Sequence, residues 1–351
     1  MDPRQGVPPE NRRPTMRDVA ALAEVSFKTV SRVINGEAGV SPALEQRVRL
    51  AVDELGFRPD AGARSLRRAD RRTSSIGLLL EDVANPFSAA IQRAVEDEVV
   101  PRGVVVLSAS LDEDPARERQ LATVFAARNV DGLLLVPAGH DQSHLLAVVE
   151  GGTPVVCVDR EAAHLPVDAV VSTNSEGAQS AVHHLAARGH RRIAFLGDWA
   201  TIPTARQRLA GYRSAQEELS LPDVPDLVVH DLHCEADAER ATTALLTGAD
   251  PPTAIFSAQN LISIGAIRAL RALGLQHGTA LVGFDDVPCG DLISPGLTAV
   301  TQDPAAIGRL AARLLLARID GDRSEPTVHR VPTQLIERGS GEICAHPRSA
   351  H

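Results

Sequence analysis

From Ser75 onward, short apolar runs alternate with amphipathic stretches, and that alternation constrains the fold more than any other feature. IGLLL (76–80), VVVLSAS (104–110), DGLLLV (131–136), VVCVD (155–159), AVVST (169–173), IAFLG (193–197), LVVHD (227–231), AIFSA (254–258) and ALVGFDD (280–286) read as strands. Helices are expected near 87–100, 114–128, 176–188, 204–219, 235–247, 260–273 and 303–319. Continuous apolar strands separated by helices are those of a parallel sheet covered on both faces. There are too many such units for one open sheet of usual size. Two sheets facing a cleft are therefore expected, with ligand beyond the C-terminal ends of the strands.

The N-terminal part has a different texture. Residues 1–14 are polar, carry four prolines and read as a disordered leader. Thr15–Ala23 then shows helical spacing. Ser26 stands where a cap should precede a second helix, Phe27–Ile34. Ser41-Pro42 opens a third helix that stops at Gly56. These residues predict a small all-α domain over 15–59. A basic stretch over 60–74 follows, then an α/β core over 75–340 and a polar tail over 341–351.

Charge divides the chain at the same place. It carries 36 basic and 45 acidic residues, net −9, yet residues 1–72 hold 14 basic and 10 acidic ones. A basic unit on an acidic body points to a polyanion met by the N-terminus alone. Lys28 is the only lysine, a bias that looks like genomic base composition, so abundant arginine is not by itself evidence of nucleic-acid binding. No apolar run reaches the roughly 18 residues of a membrane span, and the first residues lack the apolar stretch of a signal peptide. Cys157, Cys234, Cys289 and Cys344 are scattered, without a C-x-x-C pair, which argues against a disulfide framework or zinc knuckle. A cytoplasmic protein is the expectation.

The string MRDVAALAEVSFKTVSRVINGEAGVSPALEQRVRLAVDELGFRPDAGARSL strongly resembles the DNA-binding headpiece of the lactose-repressor (LacI/GalR) family. NPF (85–87), VDR (158–160), RGHRRIAFLG (188–197), RxRLAGY (206–212), GFDD (283–286) and TQDPAAIGRLAARLLL (301–316) extend the resemblance to about Gly341. It implies a helix-turn-helix domain and a periplasmic-binding-protein-like core of two α/β subdomains, with crossovers near 172, 302 and 330. It also implies a homodimer on a palindromic double-stranded operator, a small-molecule effector, no cofactor and no metal.

A recognition helix in the major groove offers long polar side chains near its start. Phe27, Lys28 and Arg32 are placed to read bases, and Ser26, Thr29, Ser31 and Asn35 to meet phosphates. By resemblance, Ala63 and Leu66 belong to a minor-groove hinge, Leu66 as an apolar wedge. Asp60 can cap that hinge, which is too short to be helical alone. For the effector the resemblance points to Asn85, Phe87, Arg160, Arg208 and Asp285. Read alone, Asp285 could cap the next segment and Arg208 could be a surface charge. Three departures stand out: Glu24 replaces a turn glycine, Gln259-Asn260 replaces Asn-Asp, and Leu232 occupies an aromatic stacking position, for which Trp199 is the candidate replacement.

Other classes fit less well. His230, His233 and Cys234 resemble half of a metal cluster, but no second half is evident. No G-x-G-x-x-G follows a strand, against a dinucleotide-dependent enzyme. An exported solute-binding protein would share the core but needs a signal peptide and no headpiece.

Overall fold

The computed structural model describes residues 14–35, 37–58 and 72–345. The expected leader, except Pro14, and the hinge residues Asp60, Ala63 and Leu66 lie outside them. The chain divides into two compact units between Thr73 and Ser74.

The first unit contains α1 (Met16–Leu22), α2 (Phe27–Ile34) and α3 (Pro42–Leu55). Each start has a local cause. Thr15 donates from its N–H and hydroxyl to Asp18 Oδ2, both at 2.7 Å. The Ser26 hydroxyl accepts from the Thr29 N–H at 3.1 Å, and the Ser41 hydroxyl caps α3 ahead of Pro42. Gly56 ends α3 at φ 59°. Val19, Val30, Val48 and Phe57 are buried between the helices. Glu24, in the α1–α2 turn, takes φ 50°, the left-handed conformation that a glycine would adopt without strain. Arg47 of α3 secures the turn, donating to the Ala23 carbonyl at 2.6 Å.

In the second unit, β1 (Ser75–Leu80), α4 (Pro86–Val99), β2 (Val105–Ser110), α5 (Pro115–Ala127), β3 (Leu133–Leu135), α6 (Leu146–Glu150), β4 (Val155–Asp159) and β5 (Asp168–Ser172) come first. The chain then crosses to α7 (Asn174–Ala187), β6 (Ile193–Leu196), α8 (Pro203–Glu218), β7 (Val228–Val229), α9 (Glu235–Thr247), β8 (Ala254–Ser257), α10 (Asn260–Ala272), β9 (Ala280–Phe284) and β10 (Thr298–Thr301). It returns for α11 (Pro304–Ile319) and β11 (Val328–Val331), and crosses once more to β12 (Gln334–Ile336).

Sheet 1 runs β11-β5-β4-β3-β1-β2, all parallel. Sheet 2 runs β12-β10-β9-β8-β6-β7, parallel except that β12 pairs antiparallel with β10. The expected two-sheet core is thus present, with three crossovers. Leu78, Leu134, Val156 and Val170 of sheet 1 pack with Ile91 and Val95 of α4 and with Ile307 and Leu315 of α11. Phe195, Phe256, Val282 and Phe284 of sheet 2 pack with Val182 and Tyr212. Two crossovers lie side by side: the Thr333 N–H donates to Thr173 Oγ1 at 2.9 Å, and the two hydroxyls are 3.1 Å apart.

Some expectations change. The run 227–231 yields only a two-residue strand, and β10, β11, β12 and α6 were not anticipated. Nor does a free polar tail begin at 341. Glu342 accepts from Thr298 Oγ1 at 2.7 Å and is 2.6 Å from His184 Nε2, while His190 Nε2 lies 2.7 Å from the Ile343 carbonyl oxygen. Among the described residues, no helix is long and apolar enough to cross a membrane.

Candidate functional site

The headpiece presents its candidates on and around α2. Phe27 is 42% exposed and Lys28 is exposed. Arg32 folds back, donating from Nη2 to the Ala38 carbonyl at 2.7 Å and lying 3.7 Å from Glu37. The hydroxyls of Ser26 and Thr29 are 2.9 Å apart, and Asn35 donates its amide to Ser31 Oγ at 3.3 Å. The four short polar residues thus stand along one helix, with Ser26 committed to its cap.

In the core, the ends of β1, β4, β6, β8 and β9 converge on one polar cavity. The five residues proposed from sequence, Asn85, Phe87, Arg160, Arg208 and Asp285, all line it. Asn85 caps α4, its Oδ1 accepting from the Phe87 N–H at 3.1 Å. The same oxygen accepts from Asn260 Nδ2 at 2.9 Å, which joins the two subdomains directly. Both residues are buried.

Arg160 and Arg208 occupy opposite walls. Arg160 makes two bonds to Glu113, at 2.7 and 2.5 Å, and one to the Pro137 carbonyl at 2.9 Å. Arg208 is 5% exposed, so it is not a surface charge. Its Nε donates to Asn174 Oδ1 at 2.8 Å and its Nη1 to the Ala258 carbonyl at 2.9 Å. Its guanidinium carbon lies 3.9 Å from the Phe284 ring centroid and its Nη1 3.6 Å from Asp285 Oδ2. Gly211, one turn on, makes this placement possible: a Cβ there would stand 2.2 Å from the Ser175 carbonyl oxygen, so only glycine lets α8 approach α7 so closely.

Asp159, the last residue of β4, and Asp285, the residue after β9, take φ 65° and 67°. Asp285 does not cap the next segment; its Oδ1 accepts from Gln302 Nε2 at 2.7 Å. Burial raises the pKa of both aspartates, against the pull of Arg160 at Asp159 and of Arg208 at Asp285. Burial and the neighbouring Glu113 likewise raise Glu81 to about 7. His233 Nδ1 is 2.8 Å from Asp198 Oδ1, and this bond raises the imidazole pKa. Trp199 stacks on His233 with centroids 3.8 Å apart. The indole therefore pairs with that imidazole rather than replacing a ring at the buried Leu232.

Sequence reasoning missed Glu81, Glu113, Asp198 and Gln302. Glu81, directly after β1, could have been found from the strand-end rule. Gln302 stands within the TQDP motif, whereas Glu113 and Asp198 lie in loops with no motif.

Sequence comparison adds the family. A profile for "Bacterial regulatory proteins, lacI family" matches residues 15–60, and one for a periplasmic binding protein-like domain matches residues 182–341. The ribose operon repressor of Halalkalibacterium halodurans is 32% identical over 329 residues, covering 92% of this chain and 96% of the relative. The chain belongs to the lacI family. Among solved structures, the lac repressor dimer bound to operator and the anti-inducer ONPF is similar with TM-score 0.81 and 25% identity, covering 94% of this chain and 99% of that one. A transcriptional regulator CelR–cellobiose complex is similar with TM-score 0.69 and 33% identity, covering 93% and 100%. As a lacI-family member the chain is a DNA-binding transcriptional regulator controlled by a small ligand, and it is not an enzyme.

Proposed function

We propose that the protein is a repressor that binds a palindromic operator as a homodimer and changes its operator affinity when a sugar-like ligand enters the core cavity. A DNA-binding regulator works where the DNA is, in the cytoplasm at the nucleoid. Phe27, Lys28 and Arg32 read bases, while Thr29, Ser31 and Asn35 join Ser26 at the phosphates. Ala63 and Leu66 enter the minor groove.

The observation that carries the ligand reading is the Asn85–Asn260 bond, set amid polar groups from both walls. A ligand that touches Asn85, Phe87 and Arg160 on one wall and Arg208 and Asp285 on the other favours the closed arrangement. It shifts the equilibrium by its differential affinity for the two forms. Both arginines already face carboxylates, which disfavours an anionic ligand. Phe87 offers an apolar face, and the many polar partners suit hydroxyl groups.

Selection of operators from a random DNA library, followed by anisotropy titration with and without ribose, cellobiose and other sugars, tests the reading. Sequence-specific binding that weakens steeply with salt and shifts with at least one sugar is expected. Salt-insensitive binding without sequence preference would end it.

A further inference from the structure

Carboxylates outnumber guanidinium groups in the lining of the cavity. Five carboxylates line it, from Glu81, Glu113, Asp159, Asp198 and Asp285, against the guanidinium groups of Arg160 and Arg208. Arg160 is held by both oxygens of Glu113 and by the Pro137 carbonyl. Arg208 is held by Asn174 and Ala258. Arg160 Nε lies 3.6 Å from Asp159 Oδ2 and Arg208 Nη1 3.6 Å from Asp285 Oδ2, so each guanidinium makes only a long contact to these two carboxylates.

Unpartnered buried atoms show the same bias. Asp159 Oδ1, Gln259 Oε1 and Gln302 Oε1 have no hydrogen-bond partner among the described residues, and all three are acceptors. One lining donor, Arg160 Nε, is in the same position. The Asp159 side chain is only 10% exposed and Gln259 only 8%. A buried polar atom without a partner costs roughly 1–3 kcal/mol, and more if charged, so these acceptors are placed for a ligand that donates. Asp159 comes from one subdomain and Asp285 from the other, and the charge of Asp159 disfavours ionisation of Asp285. Closing the cavity therefore brings like charges together.

A hydroxyl brings one donor and carries its own acceptor. An ammonium brings three donors, no acceptor and a positive charge, which suits the excess of carboxylates and the buried acceptors left without a partner. We infer that the effector is a sugar or polyol bearing an amine, whose ammonium is held by Asp159 and Asp285 with the Gln259 carbonyl oxygen beside them. This deepens the ligand reading above and rests on it. The charge-assisted bonds are expected to favour the amine over its hydroxyl analogue by roughly tenfold to a hundredfold.

The experiment titrates the full-length protein, by calorimetry and by the fluorescence of its one tryptophan, Trp199. It uses three matched sets: D-glucose, D-galactose and D-mannose, each with its 2-amino and 2-acetamido form. In at least one set the amine should bind at least tenfold tighter than both neutral forms at pH 7. The preference should fall several-fold in Asp159→Asn. The acetamido comparison on wild-type protein stands even if that variant fails to fold. Neutral sugars that match or exceed their amines in every set would overturn this inference and leave the sugar reading intact. An undiminished preference in a folded Asp159→Asn would overturn the assigned position. If no compound binds or changes operator affinity, the sugar reading falls and this inference with it.

Discussion

Glu81 shows how a single side chain can make the core respond to pH. Its carboxyl sits in the cavity, with a pKa raised from 4.5 to about 7 by burial and by Glu113. A carboxyl with a higher pKa in the folded protein binds protons more tightly there than in the unfolded chain. Its contribution is fully present below about 4.5 and is lost as pH rises through about 7. Across that window the effect is worth at most about 1.4 kcal/mol per pH unit. Asp159 and Asp285 shift in the same direction, so only a comparison isolates Glu81. Glu81→Gln should flatten the decline of melting temperature between pH 5 and pH 8 and should melt above wild type at pH 8. Calorimetric curves with equal pH slopes would mean that water solvates the carboxylate in the native core.

At the scale of the element, α2 carries its reader in a stowed position. Arg32 must leave the Ala38 carbonyl and Glu37 before it can meet a base, and these exposed contacts hold it only weakly. Arg32→Ala should weaken specific operator binding by about 1–3 kcal/mol and change non-specific binding little. Competition titrations with operator and scrambled duplex would show it; equal losses on both would make Arg32 a phosphate contact. The extent of α2 was legible because a cap, a helical repeat and a loop residue coincide at Ser26, Val30 and Asn35. The central strands were legible because burial on both faces leaves continuous apolar runs, as in Val155–Asp159. Edge strands carry no such mark: β11 exposes Val328 and Arg330, and β12 exposes Gln334. The same logic divides the cavity. Asn85, Arg160 and Asp285 stand in motifs at helix starts or strand ends. Glu113 and Asp198 acquire meaning only from Arg160 and His233, which approach them through the fold.

At the scale of the core as a whole, its two subdomains meet through three chain crossings and the groups bridging the cavity. Thr173 and Thr333 stitch two of the crossings together and do not line the cavity. Thr173→Val removes the hydroxyl that accepts from the Thr333 N–H, loosening the pivot without touching a ligand. A hydrogen bond of about 1 kcal/mol corresponds to roughly fivefold in the closed-to-open ratio. Apparent ligand affinity falls with the closed fraction, so the variant should bind effector several-fold more weakly and show a larger radius of gyration by solution scattering. Unchanged values for both would place the pivot elsewhere.

The return of the chain also bears on synthesis. Sheet 1 receives α11 only after residue 319 and its last strand only after Val331, when all but one strand of sheet 2 has already been made. On the ribosome, the first five strands therefore wait with the apolar surface that Ile307 and Leu315 will cover still open to water. A nascent chain arrested at Ser172 lacks that cover and the β11 edge, so the N-terminal subdomain completes its fold only near the end of translation.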